Sequence, residues 1–132
     1  MKVPEIQFNQ WASVNHLGHL VIDITEKEKK MFLLNGTGTH LVGYKSFGAD
    51  IIRFESNAKV INHTHKGDHI LFVLSGSGFV EYNGVEYPLS PGVSYLIPGN
   101  VNHAMRSIDC LVLISVSNDY RPLESEERLQ AV

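Results

Sequence analysis

The sequence predicts an all-β fold, a sandwich or a barrel. Three observations point there. Short apolar runs are separated by Gly, Pro and Asn at a regular rhythm, most clearly between Ser75 and Asn100. One separator, Asn83-Gly84, is the strongest short-range hairpin signal a sequence can carry. Helical character is confined to the end, where Glu124–Leu129 carries a Glu124/Arg128 pair one helical turn apart. A helix that short is marginal alone, so at most a short C-terminal helix is expected.

The elements follow in order. Residues 1–16 hold Trp11 and few signals, and read as a lead-in covering one face. Leu17 to Thr25 reads as a strand centred on Leu20-Val21-Ile22-Asp23-Ile24. Glu26-Lys27-Glu28-Lys29-Lys30 is a solvated hairpin tip. Met31–Leu34 is a short apolar run stopped by Asn35-Gly36-Thr37-Gly38. Strands are expected at about His40–Phe47 and Ala49–Glu55. Val60-Ile61 leads into a strand carrying His63 and His65, and Lys66-Gly67-Asp68 is a turn. Ile70–Leu74, Phe79–Tyr82, Val85–Leu89, Val93–Ile97, Asn102–Ser107 and Cys110–Ser117 are the remaining strands. Glu86 and Pro88 suit an edge.

A chain of 132 residues reads as one domain, with a barrel core over about 40–117, N-terminal strands in 1–39 and a tail at 118–132. The hydrophobic fraction of 43% is enough for a normal core. A net charge of -3 and a pI near 6.1 argue against nucleic acid or an anionic membrane as partner. No apolar leader follows Met1, and no run is long enough to span a membrane. The single Cys110 excludes an internal disulfide and reads as a small buried hydrophobe. Together these features suggest a cytoplasmic protein.

The chemistry concentrates in Asn62-His63-Thr64-His65-Lys66-Gly67-Asp68-His69. On a strand, positions i and i+2 share a face, so His63 and His65 project together. The turn that follows can return His69 to that face. Converging neutral imidazoles make a transition-metal site.

The spacing of two segments resembles the cupin family. Its first motif runs Gly, five residues, His-x-His, three or four residues, Glu, six residues, Gly. Here Asn57, His63-Thr64-His65, His69 and Gly76 stand at those places. Its second runs Gly, five residues, Pro-x-Gly, two residues, His, three residues, Asn. Here Gly92, Pro98-Gly99-Asn100, His103 and Ser107 stand there. The resemblance implies a jelly roll, or double-stranded β-helix barrel, with a metal inside, and a homodimer. Apolar faces around Leu20–Ile24 and Cys110–Val116 are the expected contact surfaces.

The departures from the motif have physical readings. Asn57 and Asn100 replace glycines, and Asn is the next residue best able to hold a left-handed backbone. Ser107 in place of Asn puts a structural hydrogen bond in question. The metal-binding Glu of the family is His69. The implied ligand set is therefore four histidines, His63, His65, His69 and His103. It would hold one divalent transition ion per chain: Fe, Mn, Cu, Ni or Zn. Without a carboxylate ligand the ion keeps its full charge, and the site favours an anionic or enolate-like oxygenated small molecule.

Arg53, Tyr44, Tyr82, Tyr95 and Met105 lie on expected strands and are candidates for the substrate pocket. Their facing is ambiguous by period alone, and core or interface packing is the competing reading. Arg53, inside Ile51-Ile52-Arg53-Phe54, would anchor a carboxylate if it faces inward. His16, His19 and His40 fit no ligand spacing. The first expected function is dioxygenase-type oxidative cleavage of a small oxygenated metabolite. A metal-dependent isomerase, cyclase or lyase is the alternative, and a non-catalytic small-molecule binder is the reading from a different class.

Overall fold

The computed structural model describes residues 2–23 and 27–132. Ile24, Thr25 and Glu26, at the junction of the expected strand and the charged tip, lie outside the described residues. The chain folds as a jelly-roll barrel of antiparallel strands. They are β1 (Ala12–Val14), β2 (Leu20–Ile22), β3 (Lys29–Lys30), β4 (Thr37–Tyr44), β5 (Phe47–Phe54), β6 (Lys59–Thr64) and β7 (His69–Ser75), followed by β8 (Gly78–Tyr82), β9 (Val85–Leu89), β10 (Ser94–Ile97), β11 (His103–Ser107), β12 (Leu111–Ser117) and β13 (Gln130–Ala131). One sheet has the order β10-β7-β12-β5-β4-β3 and faces a second, β13-β6-β11-β8-β9; β1 and β2 form a separate hairpin.

Period-2 alternation builds the space between the sheets. Ile52 and Phe54 of β5 point in, as do Leu71 and Val73 of β7, Val80 of β8, Ile97 of β10 and Leu111 and Leu113 of β12. Ile70 and Phe72, the alternate residues of β7, face out. The β12 strand is covered on both faces. Leu41, Ile51 and Val112 form a second cluster on its outer side, and Trp11 and Ile22 pack there. The N-terminal segment thus does cover one face. The same packing covers Val112 and Cys110 on that outer side within the chain.

The turns follow their residues. Asn83 and Gly84 both have positive φ, as a two-residue hairpin requires. Asn57 and Asn100 take φ of 59° and 63°, so both survive as left-handed turns in place of glycine. Ser107 supplies the bond its position was expected to lose. Its Oγ accepts from the Ala58 N–H at 2.9 Å and donates to the Glu55 carbonyl.

Three expectations change. The strand expected from Leu17 is shorter, because Gly18 turns the chain between β1 and β2. The strand expected at His40–Phe47 instead runs from Thr37 to Tyr44, and Lys45 turns with positive φ before β5. The C-terminal helix does not form. Residues 122–129 are turns and irregular chain. Leu123 and Leu129 are buried in the core, and Gln130–Ala131 pairs with Thr64 and His63. Burying those two leucines and adding a strand outweighs the weak helical propensity of one turn and a half.

Candidate metal centre

Each histidine is placed by a strand end. His63 lies in the last turns of β6, and His65 follows it beyond the strand. Val60 and His63 both face inward although three positions separate them. A β-bulge makes this possible: His103 pairs with His63 but Met105 pairs with Val60, so β6 carries one extra residue there. His103 opens β11 directly across from His63. His69 opens β7 on the same inward face as Leu71 and Val73.

Two turns hold these strand ends together. The Asn100 N–H donates to the His65 carbonyl at 2.7 Å. Asp68 accepts from the Gly99 N–H at 2.8 Å, and Asn118 donates to the same carboxylate at 3.0 Å.

His63, His65 and His103 are buried, and one ring nitrogen from each lies within 4.8 Å of the other two. Their rings sit with centroids 4.2 Å apart for His63 and His103, 4.7 Å for His65 and His103, and 6.1 Å for His63 and His65. The Nδ1 of each faces a backbone carbonyl: Ile61 at 2.7 Å, Gly67 at 2.8 Å and Val101 at 2.9 Å. A carbonyl only accepts, so Nδ1 carries the proton in all three. In a neutral imidazole that leaves the Nε2 lone pair free as a ligand.

The rings are held neutral. Burial lowers the pKa of His63, against the bond to the Ile61 carbonyl. Burial lowers His65 to about 4 and His103 to about 3. His69 falls to about 2, through burial first and then the neighbouring charges of His65 and Arg128. Three buried, neutral, oriented imidazoles are the donor set a divalent transition ion needs.

His69 stands beside this trio. Its ring stacks on His65 at 3.7 Å, and its Nδ1 lies 3.2 Å from the Ser115 hydroxyl. A hydroxyl can donate or accept, so this contact leaves both tautomers open.

A cavity of about 60 Å³ adjoins the histidines. Its far wall is apolar, formed by Met31, Leu34, Phe54, Leu71 and Val80. Of the pocket candidates, Tyr95 and Met105 line it, and the Tyr95 hydroxyl donates to Met105 Sδ at 3.7 Å. Burial raises the Tyr95 phenol well above its ordinary pKa. The other three lie elsewhere. Tyr82 packs on the core and lines a separate groove with Tyr87. Tyr44 is 55% exposed. Arg53 points away from Ile52 and Phe54 and pairs with Glu28 at 2.7 Å.

Sequence reading missed Arg128. It is buried, lines the cavity and bonds Asp50 at 2.9 Å. Asp50 itself had a signal, a carboxylate in the apolar run Ala49-Asp50-Ile51-Ile52. It is 1% exposed and also takes bonds from Tyr120 at 2.9 Å and His40 at 3.0 Å.

Comparison with known proteins agrees with this geometry. No curated protein matches the chain. Among solved structures, an RmlC-like cupin from Shewanella frigidimarina NCIMB 400 superposes with a TM-score of 0.66 at 21% identity, covering 85% of this chain and 96% of that one. The polyketide cyclase RemF from Streptomyces resistomycificus gives 0.64 at 17% identity, covering 100% of this chain and 86% of its own. KdgF from Halomonas sp. gives 0.62 at 22% identity, over 66% of this chain and 82% of that one. At these identities the likeness is one of fold. The cupin domain model matches residues 50–116, which hold both histidine segments. With the barrel and the buried histidines at its strand ends, that match makes this chain a member of the cupin family.

Proposed function

We propose that this protein is a metal-dependent enzyme acting on a small oxygenated molecule. One divalent transition ion would be held by His63, His65 and His103, with His69 as the fourth ligand. The observation that carries this reading is the set of three Nδ1–H bonds to the Ile61, Gly67 and Val101 carbonyls, which presents three Nε2 lone pairs to one space. A bound ion supplies Lewis-acid polarisation of a substrate oxygen, and electron transfer where the metal is redox-active.

The residues around it divide the remaining work. The apolar wall of Leu34, Phe54, Leu71 and Val80 excludes water and so strengthens every polar contact inside. Tyr95 stays protonated, so its hydroxyl serves as a hydrogen-bond donor rather than a base. Among the described residues no carboxylate lines the cavity, so none is at hand there as a general base.

Two reaction classes use such a site. Non-oxidative chemistry (cyclisation, elimination or isomerisation) is supported by the fold shared with a polyketide cyclase across the whole chain. Dioxygenase-type cleavage is supported by the all-imidazole donor set, which suits a redox-active ion. We favour the first. The test is elemental analysis of purified protein, followed by turnover of a panel of diketones, enediols and catechols in the zinc-loaded and iron-loaded forms with an oxygen electrode. Turnover with zinc under anaerobic conditions supports the non-oxidative class. Turnover that stops without oxygen moves the assignment to a dioxygenase. Ligand binding without turnover in either form moves it to a binding module, and protein without metal overturns the reading.

A further inference from the structure

Among the described residues, Arg128 is the only permanently charged side chain on the cavity wall. It is 8% exposed and reaches the wall from the C-terminal segment, between the buried Leu123 and the β13 strand. Both of its bonds to Asp50 and to the Arg121 carbonyl, at 2.9 Å and 2.8 Å, leave from Nη1. A guanidinium carries donors on Nε and Nη2 as well, set in a planar fork. Asp50 and Arg121 use neither of those donors, and the Tyr120 hydroxyl, which donates to Asp50, also accepts from the Arg128 side chain. A guanidinium on the wall of a largely apolar cavity favours an acceptor that enters it. Among the described residues no carboxylate on the wall supplies one.

We propose that Arg128 anchors the carboxylate of the molecule that occupies this cavity, which makes the substrate a small organic acid. A planar carboxylate matches the guanidinium fork with two parallel bonds. A single guanidinium in a space of about 60 Å³ suits a compact monoanionic end better than a phosphate. Asp50 then has a defined part. It holds Nη1 in place on the cavity wall. The proposal rests on the cavity being the substrate site, as argued above, but not on the metal being present.

The competing account is that Arg128 only neutralises the buried Asp50. The two accounts differ in sign for changes at Asp50. Removing Arg128 alone leaves the buried Asp50 without its permanent cation, which destabilises the fold. The test therefore uses Asp50→Asn and the double variant Asp50→Asn/Arg128→Met, beside the wild type. Metal content is measured first in each. Malonate and its uncharged diamide, malonamide, are then titrated by NMR into zinc-loaded and metal-free protein.

Anchoring predicts that Asp50→Asn binds malonate at least as tightly as wild type. The double variant should lose about tenfold or more in malonate affinity, with malonamide affinity unchanged in all three proteins. The proposal is overturned if Asp50→Asn weakens malonate as much as the double variant does. It is equally overturned if the double variant binds malonate like wild type, or if malonate and malonamide weaken together. A wild type that retains no metal overturns the metal reading alone, since the Arg128 dependence is still read on metal-free protein.

Discussion

Gly99 and Lys66 touch backbone to backbone. A Cβ built on Gly99 would lie 2.1 Å from the Lys66 carbonyl oxygen. This contact presses the turn before β11 against the turn before β7, beside the bond from Asn100 to the His65 carbonyl. The histidines of two segments far apart in sequence share one site because these turns meet.

Gly99→Ala is therefore expected to force the turns apart. It should destabilise the fold by about 1–3 kcal/mol and weaken metal retention with it. Chemical denaturation and metal content of the same preparation check both. Full stability with full metal content would show that the turn can shift without cost.

The histidines should not be equivalent. His63→Ala or His103→Ala removes a member of the convergent trio, and the protein should lose its metal. His69→Ala leaves the trio whole and should keep the ion, with affinity lower by about 10–100-fold. Competition with a chelator of known affinity separates these outcomes. Equal metal content in wild type and in the His63→Ala/His103→Ala double variant would remove the site.

Acid should unfold the metal-free protein early. His65, His103 and His69 have folded pKa values of about 4, 3 and 2 against 6.5 as the ordinary value. Between these limits the unfolded chain binds more protons than the fold, so stability falls as pH falls. The loss begins near pH 6.5 and continues to about 4 for His65, at up to about 1.4 kcal/mol per pH unit for each histidine that stays neutral. Urea midpoints from pH 7.5 to 4.5 measure it. His103→Ala should flatten the slope, and an unchanged slope would show that these rings titrate normally.

A homodimer is expected. Val14, Leu17, Leu20 and Val21 on the β1–β2 hairpin are exposed, and so are Val42, Tyr44 and Phe47 on the β4–β5 hairpin. Light scattering should give twice the 14.8 kDa chain mass. Leu20→Asp/Val21→Asp should shift it to the monomer. A monomer mass for wild type at micromolar concentration would refute this.

The all-β class, most strands and the two histidine segments were legible in the sequence, because each rests on local rules. Alternation, turn residues and motif spacing act over a few positions. Asn57 and Asn100 could be read as glycine substitutes for the same reason, since positive φ is a property of one residue. The facing of side chains was less legible. Period 2 fails at the bulge in β6, where Val60 and His63 come to the same face. It also left Arg53 ambiguous until its pairing with Glu28 was known.

Other features were decided only by tertiary structure. The segment from Glu124 to Leu129 has the composition of a helix, yet burial of Leu123 and Leu129 and the pairing of the following Gln130–Ala131 with β6 make it turns and irregular chain. Arg128 reaches Asp50 across 78 positions of chain. No local pattern encodes a contact that long. It exists because pairing of β13 with β6 brings the C-terminal segment beside the cavity, where the desolvated carboxylate of Asp50 needs a cation. The sequence by itself determined that histidines gather here on a β framework. The packing of distant segments decided which of them converge and which charge stands beside them.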